Sequence, residues 1–276
     1  GGDARLRREA DFARALTIEL GFDALAEEVL TLALKGANGQ GRSELLLARC
    51  DVRKTTAQRA AESERLAALE SAAAAYADFL NASPPAQLAT NARVALGELA
   101  FQYGAALQVE IADLPMGSAK REALITAANT LFMDAKSGLD RIIELWETMA
   151  DGDEKDSLRF SAYFPAKYFK AQLFYFWAAA FAPDTLERLE RADKALELFE
   201  DFALLAGDSS RPGFMAYKQM ADTFILRAEA EIARDNIKDA KSTFEEAEAF
   251  YLHIIDNVIP ESSQLAEAET EPQSDG

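Results

Sequence analysis

The chain has 276 residues with 47 acidic and 29 basic side chains, a formal net charge of −18 and a single histidine and cysteine. Such an acidic balance excludes a nucleic-acid binder, whose phosphate contacts need an excess of Lys and Arg on one face, and it disfavours an anionic membrane surface. Cys50 as the lone cysteine excludes an intrachain disulfide and a cysteine-based metal site, and no apolar run approaches the ~20 residues of a membrane span. Ala, Leu, Glu, Lys and Arg dominate, and period-2 runs of β-branched residues are absent, which reads as all-α.

In chain order, residues 4–20 carry a helical stripe of Leu6, Ala10, Ala13, Leu16 and Leu20, stopped by Gly21. A second helix runs from Phe22 to Lys35, and the glycine-rich stretch Gly36–Gly41 breaks the chain. Ser43 is placed as the cap of a third helix reaching about Glu62, and a fourth runs from about Arg65 to Leu80, either separate from the third or continuous with it. Pro84-Pro85 ends it. Residues 86–111 form a helix rich in small residues, and a helix capped by Ser118 extends to Ala150 with an interruption expected near Gly138.

After Asp151-Gly152-Asp153 comes the most distinctive stretch, Leu158 to Ala182. The chain contains 17 Phe, 7 Tyr and 2 Trp, and ten of these lie here. Pro165 is placed in the first turn of the helix, where its missing N–H costs nothing. Phe169, Leu173, Phe176, Trp177 and Ala180 then follow helical spacing. Asp184 or Thr185 caps the next helix to about Leu205, and residues 214–234 and 236–257 form two more. The tail 259–276 is acidic with few apolar residues, which predicts disorder. Residues 1–258 are read as one domain.

Long helices joined by short turns read as successive helical hairpins. In the last, Phe224, Ala228, Ala240, Phe244 and Ala247 have the large–small spacing that lets two antiparallel helices approach closely. Ala26, Leu30 and Ala33 repeat it, as do Ala72, Tyr76 and Phe79, and Ala195, Phe199 and Phe202; Gly138, Ile142 and Leu145 are the nearest match between. This pattern resembles the tetratricopeptide repeat (TPR). The matched small residues are 46, 66, 57 and 45 positions apart rather than the ~34 of the standard repeat. No instance carries the family's Trp and Leu-Gly pair. The resemblance implies an α-solenoid of about five antiparallel hairpins with lengthened helices, and a protein or peptide partner.

For function, His253 lies alone on a helix, and neither a Glu-x-x-His pair nor a Gly-x-Ser-x-Gly elbow is present. The loop Gly36 to Ser43 lacks the Gly-Lys-Ser/Thr ending of a phosphate loop and follows a helix. No cofactor or metal is therefore expected, and no enzymatic activity. Cys50 reads as a small buried residue. Arg49, Arg53, Lys54 and Arg59, with Arg5, Arg7, Arg8 and Arg14, are candidates for a docking patch on an acidic protein.

The aromatic stretch has two readings, as a wall packed between hairpins and as a partner groove with Tyr163, Tyr168, Lys170 and Tyr175 turned outward. The leading expectation is a non-enzymatic scaffold or adaptor that binds a protein or peptide in a larger assembly. The alternatives are a small-molecule binder or enzyme with an aromatic-lined pocket at 160–181, and a subunit that oligomerises through an exposed aromatic face. The start at Gly1-Gly2-Asp3 without Met favours an extracytoplasmic, periplasmic location over a cytoplasmic one and suits a bacterial envelope component.

Overall fold

The computed structural model describes residues 2–207 and 210–258, with side chains described from Ala4 to Asp256. All regular structure among them is helical. The first helices are α1 (Gly2–Ile18), α2 (Asp23–Leu34), α3 (Gly39–Arg59), α4 (Glu62–Asn81), α5 (Ala86–Ala112) and α6 (Ala119–Thr148). A short α7 (Asp153–Leu158) passes through a π-helical turn, Arg159–Tyr163, into α8 (Phe164–Ala180). Then come α9 (Leu186–Ala206), α10 (Arg211–Ala233) and α11 (Ile237–His253), ending in a π-turn at Ile254–Val258. The tail 259–276 lies outside the described residues.

The helices divide into two compact units, Gly1–Phe169 and Lys170–Gly276, and the division falls within α8. In the first unit each helix packs on its neighbour, and α1 also packs closely on α3. In the second, α10 packs between α9 and α11, and Ala178 of α8 meets Ala192 of α9 and Leu226 of α10 in one apolar cluster. The matched small residues Ala26, Ala72, Gly138, Ala195 and Ala240 are all buried.

Several boundaries differ from the sequence reading for identifiable reasons. Ser43 does not cap α3, which begins four residues earlier at Gly39, after an extended Asn38. Gly39 takes a φ of +54°, which only glycine adopts without strain, so the glycine-rich segment opens the helix rather than separating it. Extended ψ angles at Ala60 and Ala61 separate α3 from α4. Helix α6 runs through Gly138 without a break. A Cβ there would lie 3.2 Å from Cγ of Arg93, so the glycine serves close approach to α5.

Pro165 does lie in the first turn of its helix, as expected, but that turn follows helical rather than loop backbone. It sits just inside α8, directly after the π-turn. A proline ring displaces the carbonyl four residues back from α-helical register, and the wider turn accommodates that displacement. The Phe164 N–H accordingly reaches back to the carbonyl of Arg159.

Ser118 and Thr185 do cap their helices, accepting from the backbone N–H of Arg121 and Arg188. At helix ends, arginine is the recurring device. Arg59 donates to the carbonyls of Thr17 and Ile18 at 2.6 and 2.9 Å. Arg121 donates to Ile111 at 2.6 Å, and Arg42 to Leu34 at 3.3 Å. Each places a cation against the unsatisfied carbonyls and negative dipole end of a preceding helix.

Candidate functional site: a trough across the first unit

Helices α1, α3 and α5 line a trough whose charged side chains pair across it, among apolar and neutral residues such as Ala10, Leu47 and Thr55. At one end Arg7 (α1) holds Glu44 (α3) at 2.8 Å, and burial opposes but does not outweigh that bond, so the Glu44 carboxyl titrates below its ordinary range. One helical turn repeated twice along each helix brings Arg14 to Asp51 at 2.7 Å. Asp51 also accepts from the Tyr76 hydroxyl of α4 at 2.5 Å. That ring is fully buried, and burial pushes the phenol well above its ordinary value. Next along, Lys54 (α3) pairs with Glu98 (α5) at 2.7 Å, and Glu98 also accepts from Gln58 and Gln102.

Three cavities share these residues in sequence. One of about 460 Å³ contains Arg7, Glu44, Arg14 and Asp51. The next, of about 490 Å³, shares Arg14 and Asp51 with it and extends to Lys54, Gln58 and Glu98. The last, of about 1170 Å³, shares Gln58 and opens between the start of α4 and the second half of α5. Its floor is apolar: Leu66 and Leu69 from α4, then Phe101, Ala105 and Val109 at four-residue steps on α5. Glu62, Arg65, Glu110, Asp113 and Lys120 form its rim. Val109 is 60% exposed, an apolar side chain left facing the open groove. The trough therefore passes from a charge-paired section into an apolar one.

Of the residues singled out by sequence, Arg7, Arg14 and Lys54 lie in the trough, each paired with a carboxylate, and Arg59 lines its middle cavity; the others lie elsewhere. Arg49 and Arg53 both grip Glu27 of α2, at 2.8 and 3.0 Å, so this part of the expected basic patch is already neutralised within the chain. Tyr163 was expected to turn outward in the partner-groove reading, but it is only 5% exposed. It stacks on Trp146 with ring centroids 4.0 Å apart. Lys155 lies over the Trp146 ring and Lys167 over Tyr163, a cationic cover on a stacked pair that fixes the π-turn against α6. Tyr168 is half-buried beside Phe169, which meets Phe101 of α5.

Lys170 and Tyr175 belong to the second unit and are half-buried. Tyr175 packs against the Ala178–Ala192–Leu226 cluster, and Trp177 lies under the Arg191 guanidinium at 4.0 Å. Leu173, Phe176, Trp177 and Ala180 are buried as their spacing predicts. The three cavities described are lined by residues outside 160–181.

Cys50 is buried and donates to the Ala75 carbonyl; burial pushes its thiol up to about 12, which keeps it protonated and unreactive. His253 sits edge-on to Tyr217 at 5.3 Å. Among the described residues no three His, Cys, Asp or Glu side chains are grouped to hold a metal ion, and no helix is long and apolar enough to cross a membrane. No protein-family model matches the chain, and neither a curated protein nor a solved structure matches it.

The trough cations Arg7, Arg14 and Lys54 were among the docking-patch candidates, whereas their partners Glu44, Asp51 and Glu98 stood in the sequence as ordinary charged positions. The signal that marks them is a shared seven-residue step: Arg7 and Arg14 on α1 face Glu44 and Asp51 on α3. Two helices with the same step and opposite charges are in register.

Proposed function

We propose that the chain is a TPR-like helical-repeat scaffold, non-enzymatic, which binds a segment of a protein partner in the trough of its first unit. The observation that carries this reading is the apolar groove between α4 and α5, continuous with the charge-lined section through Gln58. Its helical walls have their backbone groups already paired, so they offer an incoming chain side-chain contacts only. Such a surface suits a partner that inserts apolar side chains and sets its own polar groups against the charged section. The buried small residues at the five matched hairpin positions support the repeat reading.

The cations and anions of the charged section neutralise each other in pairs rather than converging on one reacting atom, which favours binding over catalysis. Panning a display library of short peptides against the intact chain tests the proposal. Enriched peptides should lose most of their binding to Val109→Arg and Leu66→Glu, and keep it in a control changed at exposed Glu154. Failure to enrich, or equal binding to all three variants, would overturn the reading.

A further inference from the structure

The last hairpin of the second unit leaves one helical face without a covering helix among the described residues. On α11, Ala240, Thr243 and Ala247 are buried, facing α10. About 100° away around the same helix, Ile237, Phe244 and Leu252 are 59, 39 and 51% exposed, in line with Lys241 and Glu248. At 100° per residue these five side chains fall within an arc of about 80°. Ile232, at the end of α10, adds to the same surface, and a shallow depression of about 380 Å³ lies between it, Ile237 and Phe244. As a large position of the matched repeat pattern, Phe244 was expected to fill the next groove beside this hairpin. Its ring is turned to the outside, because Ala240 and Ala247 occupy the positions that face α10.

We propose that this face is an interface with a second copy of the chain, in which two α11 helices pack antiparallel about a two-fold axis beside Phe244. The order of side chains along the stripe selects that partner. A two-fold axis there sets the two Phe244 rings together, and each Lys241 opposite Glu248 of the second copy. It also sets each Ile237 opposite Leu252, so that every apolar position meets an apolar one and every cation an anion. Sliding the helices until Ile237 faces Ile255 would put both Phe244 rings against Glu248 instead, desolvating two carboxylates without partners.

Charge also argues against the tail 259–276 as the occupant. It carries five acidic residues and no basic one, and would approach a face that already holds Glu245 and Glu248. The matched segment from Ile237 to Leu252 spans roughly 22 Å, about four turns. A single helix pair of that length sits at the small end of specific interfaces, so the dimer forms in the micromolar range and dissociates on dilution.

Sedimentation equilibrium of the full chain, from low micromolar to several hundred micromolar, tests the proposal. The expected result is a concentration-dependent monomer–dimer equilibrium that Phe244→Ser abolishes. Lys241→Glu alone and Glu248→Lys alone should each weaken it roughly tenfold, since each change sets like charges together at two symmetric places. Combining the two reversals should restore it. Lys241, Phe244 and Glu248 are all on the exposed side of α11, so circular dichroism should show each variant folded. A monomer at every concentration would overturn the proposal, as would a dimer indifferent to the single reversals or not restored by the double one. Self-association that appears only after residues 259–276 are deleted would also overturn it, with the tail as the occupant.

Discussion

The two units use the same small-residue contacts between neighbouring helices but fill the remaining space differently. In the second unit rings are prominent beside the Arg188–Glu229 and Arg227–Asp193 ion pairs: Phe224 stacks on Phe250 with centroids 5.4 Å apart, Arg191 lies over Trp177, and Phe199 is fully buried. In the first, ion pairs bridge α1 to α3 and α3 to α5 along the trough. Long charged side chains can tie two helices together while leaving water between them, whereas packed rings exclude it. The region with more conspicuous chemistry in the sequence is thus the more closed, and the region of plain charged helices holds the open groove.

The largest effect that tests this contrast is a ring deletion in the second unit. Phe199→Ala should cost about 3–5 kcal/mol, since it removes a fully buried side chain and leaves a cavity that rigid helices only partly refill. Urea unfolding checks it, and a loss below about 1 kcal/mol would mean that rings do not carry this unit.

A charge deletion in the first unit should come next. Asp51→Ala leaves the fully buried Tyr76 hydroxyl without its acceptor and Arg14 without one of its two carboxylates, at a cost of about 1–3 kcal/mol. The double variant with Tyr76→Phe should recover part of that loss, because it removes the stranded hydroxyl. If the double variant is as unstable as the sum of both singles, Asp51 matters only through Arg14.

Glu27→Gln should fall below both. It weakens two ion pairs at once, yet Arg49 and Arg53 are each more than a third exposed along their side chains, so about 1 kcal/mol or less is expected. A larger loss in the same unfolding assay would show that partly exposed charge pairs in this unit carry weight comparable to its core.

The order of these effects follows what could be read from the chain. The all-helical character and most helix boundaries were legible because apolar spacing, Pro84-Pro85 and the caps Ser118 and Thr185 are local signals. The π-turn before Pro165 was not, since a wide turn and an ordinary first helical turn share the same sequence signature until a preceding helix, α7, is seen to feed into it. The fate of Tyr163 depended on Trp146, and that of Arg49 and Arg53 on Glu27, partners at least 17 residues distant in each case. Aromatic density marked a packing site correctly and a binding face incorrectly at Tyr163. Of the charged trough, the cations Arg7, Arg14 and Lys54 were picked out as candidates, but their pairing stayed hidden because Glu44, Asp51 and Glu98 resemble solvated helix faces until the helices are placed in register.

The smallest effect tests that register directly through pH. Arg7 bonds to Glu44 and holds its carboxyl below the ordinary value of 4.5. A carboxylate with a depressed folded-state pKa contributes stability above its unfolded pKa and loses it as pH falls through the lower folded value. The stability difference between the native chain and Arg7→Ala should therefore be constant from pH 7 to about 5 and close as pH drops below about 4. Added salt should shrink it at pH 7, since the Arg7 side chain is largely exposed. Thermal unfolding of both chains across this range gives the answer. A difference that persists undiminished at pH 3 would mean that Arg7 acts by packing its stem over α3, and the charge register of the trough would then begin only at Arg14 and Asp51.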